Sequence, residues 1–140
     1  MSAPDFFNPR VALGVLHARG FIGYRQAAAM AAVLDSEEAQ FMMDKIREIY
    51  AIITGMPKTY EQDGMGDQAV VHLHYFPRGM DWHITEKDME DEQLQAFGLA
   101  DLGYGPELGY IWLGEITEAG AELDLYWTPK TLAEVKGAQA

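Results

Sequence analysis

The runs AVVHLHYF (69–76) and DWHITE (81–86) alternate apolar and polar side chains. Alternation with a period of two is the pattern of a half-buried β-strand. The two runs are separated only by residues 77–80, and such a short connection makes neighbouring strands antiparallel. Together they predict a β-hairpin near the middle of the chain.

Towards the C-terminus, further runs have a strand pattern, namely 94–99 (LQAFGL), 110–116 (YIWLGEI) and 122–127 (ELDLYW). Short, turn-rich stretches separate them. With the hairpin they predict a twisted antiparallel meander of four to five strands. Residues 131–135 are expected to form a closing helical turn.

Towards the N-terminus, the apolar period lengthens to about 3.6 residues, which predicts helices at 11–18, 24–34 and 36–54. Asn8 is expected to cap the first helix, followed by a proline at the first helical position. Asp35, with an acid three residues on at Glu38, is expected to start a capping box for the third.

These patterns place the chain in the α+β class, with N-terminal helices packed on an antiparallel sheet of four to five strands. Its 140 residues suit a single domain, 1–140, with a helical part at 1–55 and an acidic β-rich part at 56–136.

Composition limits the function. With no cysteine, the chain has neither a disulfide framework nor a thiolate metal site nor a cysteine nucleophile. The N-terminal residues lack the basic and apolar regions of a secretory signal, and no run is long enough to span a membrane. We therefore expect a cytoplasmic protein that does not contact membranes.

The negative charge is concentrated in the β-rich part. Between Glu61 and Asp124 there are fifteen acids and two bases, Arg78 and Lys87. Such a surface repels phosphate, so we expect no direct binding of nucleic acid and predict a basic, nucleic-acid-binding protein as the partner. The acidic run 86–92 is also typical of a solvated hairpin loop. The residues predicted to bind the partner are Glu86, Asp88, Glu90, Asp91, Glu92, Asp101, Glu107, Glu115, Glu118, Glu122 and Asp124.

Histidines of the hairpin are the candidates for metal binding. His72 and His74 are two residues apart and so share a strand face. If residues 77–80 form a four-residue loop, His74 faces His83 and His72 faces Thr85, whereas a one-residue slip moves His83 to the other face. Three imidazoles on one face suit a metal ion with an open coordination position. Solvent-facing strand histidines are the alternative.

The same region contains a partial catalytic motif. His83-Ile84-Thr85 matches the H-x-T element of two-histidine phosphoesterases, in which one histidine activates the nucleophile and the other protonates the leaving oxygen. The second copy is missing, because His72-Leu73-His74 has no hydroxyl residue.

Several segments carry a family resemblance: MPKTY (56–60), VVHL (70–73), WHITE (82–86), FGL (97–99), ELGY (107–110), DLYW (124–127) and KTL (130–132). In their order and spacing, over about residues 56–135, the chain resembles the family known as domain of unknown function 2958. Members are small bacterial proteins, often encoded on plasmids, phages and integrated elements, without an established activity. The resemblance implies a compact β-rich unit in a mobile-element setting and assigns no catalytic residue. Where this chain has His83 the family usually has an aromatic residue, and its members commonly lack the N-terminal helices.

These observations favour a non-enzymatic, acidic binding protein of a mobile genetic element that needs no cofactor. Its predicted role is anti-defence: as a DNA mimic it occupies the basic surface of a CRISPR complex or a restriction enzyme. One alternative is a metal- or histidine-dependent hydrolase that uses His72, His74 and His83. Another is an accessory protein that forms a homodimer through its helical part.

Overall fold

The computed structural model describes residues 7–77, 79–88 and 95–138. In these residues the helices and strands have the predicted α+β arrangement. The helices are α1 (Pro9–Ala18), α2 (Tyr24–Leu34), α3 (Ala39–Gly55), α4 (Leu113–Glu118) and α5 (Leu132–Ala138). The strands are β1 (Val70–Val71), β2 (Leu73–Phe76), β3 (Asp81–Glu86), β4 (Gln95–Asp101), β5 (Pro106–Trp112), β6 (Glu122–Leu123) and β7 (Lys130–Thr131). Within the described ranges, no helix has the length and apolar character needed to cross a membrane.

The main sheet has the strand order β5-β4-β3-β2-β6. Strands β2 to β5 form an antiparallel meander. Strand β6 then pairs with β2, at the edge opposite β5, and α4 lies in the connection that crosses from one edge to the other. Strands β1 and β7 pair with each other in a separate two-stranded ladder.

The first helix begins as predicted, because the side chain of Asn8 accepts the N–H groups of Arg10 and Val11. The third helix begins later than predicted. Its N-cap is Glu38 rather than Asp35, so the predicted capping box is wrong.

Two of the predicted strands have different limits. Residues 113–116, predicted as the end of a strand, belong to α4, in which Leu113 and Thr117 lie one turn apart and are both buried. Of the strand predicted at 122–127, only β6 is observed. The chain turns after Asp124, whose N–H donates to the carbonyl oxygen of His74.

The two faces of the main sheet pack against different parts of the chain. On one face, Tyr75 and Ile84 lie in a core with side chains from the N-terminal helices, such as Leu16 and Ile46. On the other face lies a smaller apolar cluster, made of Ala69, Val71, Leu99, Leu132 and Val135, with Trp127 packed against it. Because side chains alternate along a strand, His74 and His83 point to this second face.

Helix α2 also contacts the last strand of the main sheet. The side-chain amide of Gln26 donates to the carbonyl oxygen of Leu123 over 2.8 Å and accepts its N–H over 2.9 Å. One amide group thus satisfies both backbone polar groups of Leu123, 97 residues away along the chain.

Candidate functional site

The hairpin has the register that unites two of the histidines. His74 pairs with His83 across β2 and β3, which confirms the arrangement expected for a four-residue loop. The two imidazole rings are stacked, with centroids 4.7 Å apart and planes 16° apart. Trp127 lies against both rings, at 5.1 Å from His74 and 5.5 Å from His83. The pair is therefore partly covered by an aromatic side chain.

His74 lies between two carboxylates. Its Nδ1 is 3.0 Å from Asp124 Oδ2, and its Nε2 is 2.7 Å from Asp81 Oδ1. A carboxylate only accepts hydrogen bonds, so a ring with an N–H on each nitrogen satisfies both contacts, whereas a neutral ring satisfies only one. His74 is therefore held by an acid at each of its ring nitrogens.

His83 has the opposite electrostatic environment. It is only 4% exposed, and Nδ1 has no hydrogen-bond partner among the described residues. Burial, followed by the nearby charge of His74, lowers the pKa of His83 to about 4, although Asp81 and Asp101 act in the opposite direction. At neutral pH His83 is therefore an uncharged imidazole with an available nitrogen.

A set of potential metal ligands is present, but it is not the predicted one. Among the residues that the structure describes, His74, Asp81 and His83 each offer a ligand atom, and these atoms lie within 4.8 Å of one another. His72 is not part of this set. It lies at the break between β1 and β2, where its N–H donates to the carbonyl oxygen of Ile84, and burial lowers its pKa.

Asp81 was missed in the search for ligands, although the sequence contained the signal. It is two residues from His83 and therefore on the same strand face, and the register that unites the histidines also brings it beside His74. Thr85 does not join the group, because its hydroxyl is buried and donates to the carbonyl oxygen of Phe97.

The acids predicted to bind a partner are not on one continuous surface. Glu86 is only 5% exposed and its carboxylate accepts the N–H of Tyr60, so it is not a surface residue. Asp88 is half-buried and accepts the N–H of Gln95, while Asp124 is engaged with His74. Asp101 is half-buried, whereas Glu107, Glu115, Glu118 and Glu122 are exposed. Glu90, Asp91 and Glu92 lie outside the described residues.

Three of the predicted acids, together with Asp81, which was not among them, lie at one end of the main sheet. Asp81 pairs with Asp101, which in turn pairs with Pro106 on the next strand. Glu107 is the residue after Pro106 and therefore projects from the other face at the same end of the sheet. At the opposite edge Glu122 pairs with Phe76, which continues the same end of the sheet. We call Glu122, Asp81, Asp101 and Glu107 the acidic row. With strands about 4.8 Å apart, it extends roughly 19 Å across the five strands.

Residues 34–128 match the family described as protein of unknown function (DUF2958). No match was found among curated proteins or among solved structures. The family match starts earlier than the resemblance over residues 56–135 and includes α3. Since it covers well over half of the chain, this protein belongs to the DUF2958 family.

Proposed function

We propose that the protein is a non-enzymatic binding protein that engages a basic surface of a nucleic-acid-binding protein through the acidic row. The observation that carries this proposal is the position of the four acids at one end of paired strands. Paired strands fix the spacing between carboxylates, and a fixed row of negative charge can occupy a groove that otherwise holds phosphates.

The class of partner follows from charge. The formal net charge of −12 opposes binding of nucleic acid and accelerates encounters with basic proteins. The finer proposal is an anti-defence role in the bacterial cytoplasm, in which the partner is a CRISPR effector or a restriction enzyme. The resemblance to proteins of mobile elements supports this choice of partner.

The test is inhibition of DNA cleavage by a Cas9 nuclease and by a type I restriction enzyme, each incubated with the purified protein. We expect inhibition that weakens as salt rises, because salt screens exposed charges. The variant Asp101→Asn/Glu107→Gln/Glu122→Gln should lose inhibition. The matched control, Glu37→Gln/Asp44→Asn/Glu48→Gln, removes the same charge from the helical part and should retain it. Inhibition that is insensitive to salt, or that survives in the first variant, would refute the mechanism.

A second candidate function is metal-dependent hydrolysis at His74, Asp81 and His83. The specific observation in its favour is the buried Nδ1 of His83, which has no partner among the residues described, beside two other potential ligands. Two histidines and a carboxylate are a ligand set that Zn²⁺ accepts, and three protein ligands leave a position for an activated water.

Isothermal titration calorimetry with Zn²⁺ tests this candidate, together with an assay of the hydrolysis of bis(p-nitrophenyl) phosphate. His83→Gln should abolish stoichiometric binding. His72→Gln is the matched control, since His72 lies in the same hairpin region but outside the ligand set, and it should bind as the wild type does. Without saturable zinc binding by the wild-type protein, this candidate is rejected.

A further inference from the structure

A cavity of about 450 Å³ lies on the side of the sheet opposite the N-terminal helices. The segment 59–66 forms one wall, and the apolar side chains of Phe97, Leu108 and Leu132 form others. Residues from most of the segments that carry the family resemblance line this cavity. Except for Leu132, its lining residues lie within the range 34–128 that matches the family.

Two acids, Glu86 and Asp63, line the cavity, and Glu86 is the buried one. The register of β3 and β4 shifts between Ile84 and Glu86, and Glu86 is then set opposite Phe97. Such bulges re-aim side chains and are frequent beside functional sites. Burial raises the pKa of Glu86, and the carboxylates of Asp63 and Glu61 act in the same direction. Backbone N–H groups from the segment 59–66 oppose that rise.

The wall formed by 59–66 has a fixed and unusual backbone. Tyr60 has a φ of 77°, in the left-handed region that residues other than glycine rarely adopt. Gln62 holds the segment in place, because its side-chain amide donates to the carbonyl oxygens of Val70 and Thr85 and accepts the N–H of Val70. The cavity wall is thus held by the contacts of Gln62 in addition to the hydrogen bond that the N–H of Tyr60 donates to Glu86.

Aromatic side chains lie beside the carboxylate. The hydroxyls of Tyr60 and Tyr110 are 2.6 Å apart, and Tyr110 meets Phe97 edge to face with ring centroids 5.5 Å apart. Aromatic faces attract cations, and aliphatic walls accept an apolar stem. An anionic ligand would be repelled by Glu86 and Asp63, and a neutral ligand would leave the buried carboxylate without a counter-charge.

We propose that this cavity binds an organic cation, an amine or a guanidinium on a short apolar stem, with Glu86 as its counter-ion and Phe97 and Leu108 against its stem. The site is distinct from the acidic row, since Glu86 and Asp81 lie at opposite ends of β3, roughly 17 Å apart along the strand. The cation comes either from a free small molecule or from an arginine or lysine side chain of a protein. The inference does not depend on the proposed anti-defence role.

The experiment is a titration of the ¹⁵N-labelled protein with n-butylguanidinium, monitored by NMR. We expect saturable changes in the chemical shifts of the backbone amides of Tyr60, Phe97 and Tyr110. With n-butylurea, a neutral molecule of similar shape, we expect no such changes. N-acetyl-arginine N-methylamide distinguishes the two sources. If this compound binds as tightly as n-butylguanidinium, the source of the cation is a protein side chain. If it binds more weakly, the source is a free small molecule.

Two variants with matched charge test the role of the carboxylate. Glu86→Gln should weaken binding of n-butylguanidinium by about tenfold or more, because it removes the charge but keeps an oxygen that accepts hydrogen bonds. Glu37→Gln makes the same change at an exposed position of the helical part and should bind as the wild type does. Leu108→Lys places a competing ammonium at the cavity through an exposed position, and it should weaken binding even if Glu86→Gln fails to fold. Equal binding of n-butylurea, or unchanged binding in folded Glu86→Gln or Leu108→Lys, would overturn the proposal.

Discussion

The phenolic hydroxyl of Tyr75 donates to the backbone carbonyl oxygen of Phe21 over 2.6 Å, and Tyr75 is fully buried. This hydrogen bond joins the centre of the main sheet to the connection between α1 and α2. Removing only the hydroxyl, in Tyr75→Phe, should lower the free energy of unfolding by about 1–2 kcal/mol, because a buried carbonyl loses its donor. Urea denaturation measures the change. Tyr126→Phe, at an exposed position, is the control and should unfold as the wild type does.

The pairing of β3 with β4 requires a glycine at position 98. A Cβ atom there would overlap the backbone carbonyl of His83, whereas a Cβ at Gly109 on the next strand would meet nothing within 4 Å. Gly98→Ala should therefore destabilise the protein by roughly 2–3 kcal/mol, through strain in the sheet. Gly109→Ala is the matched substitution and should change stability little. The melting temperatures of both variants test this prediction, and equal melting temperatures would contradict it.

The lowered pKa of His83 predicts a loss of stability in acid. In the unfolded chain a histidine titrates near its ordinary value, about 6.5, and in the folded protein near 4. Between these values the unfolded state binds more protons, so the stabilising contribution is fully present above about pH 6.5. It declines as pH falls to about 4, by up to about 3 kcal/mol.

The test is to measure the free energy of unfolding in urea between pH 4 and pH 7, with a chelator present. The wild-type protein and His83→Phe are compared. The raised pKa of Glu86 acts in the opposite direction, since it favours the folded state at low pH and less so as pH rises. The difference between wild type and His83→Phe isolates the contribution of His83. His17→Gln, on the exposed side of α1, should retain the wild-type dependence. Parallel curves for wild type and His83→Phe would show that the prediction is wrong.

Lys87 connects the helical part to the sheet. Its Nζ donates to the carbonyl oxygens of Ile53, over 2.9 Å, and of Thr54, over 3.1 Å, in the last turn of α3. Lys87→Met keeps most of the apolar stem but removes the donor, and should cost about 1–3 kcal/mol of stability. The measurement is urea denaturation, with the exposed Lys58→Met as control. A loss of equal size in both variants would exclude a specific role for this contact.

Local signals in the sequence were sufficient for part of the fold. Asn8 before Pro9 predicted the first residue of α1, and the pairing of His74 with His83 is the one of two open registers that a four-residue loop produces. Both depend on neighbouring residues only. The helix at 113–118 was missed because the alternation of Tyr110 and Trp112 continues into it, and burial of Leu113 and Thr117 against other elements decides its conformation.

The charged residues were harder to place, because their burial depends on contacts that are distant in sequence. Glu86 stands next to a run of acids and was predicted on the surface, yet a bulge and the N–H of Tyr60 hold it inside. Lys87 is buried by the end of α3, more than thirty residues earlier. Neither partner can be read from the neighbouring sequence. Self-association through the helical part stays a prediction.

The amide of Gln26 that binds both backbone groups of Leu123 has a consequence for the order of folding. Strand β6 completes the edge beside β2, and its partner in α2 is synthesised 97 residues earlier. Contacts between such distant positions are slow to form, since a long loop must close first. On the ribosome, therefore, the contact of α2 with the sheet edge cannot form until β6 has emerged, and until then β2 has an unpaired edge that is exposed to other chains.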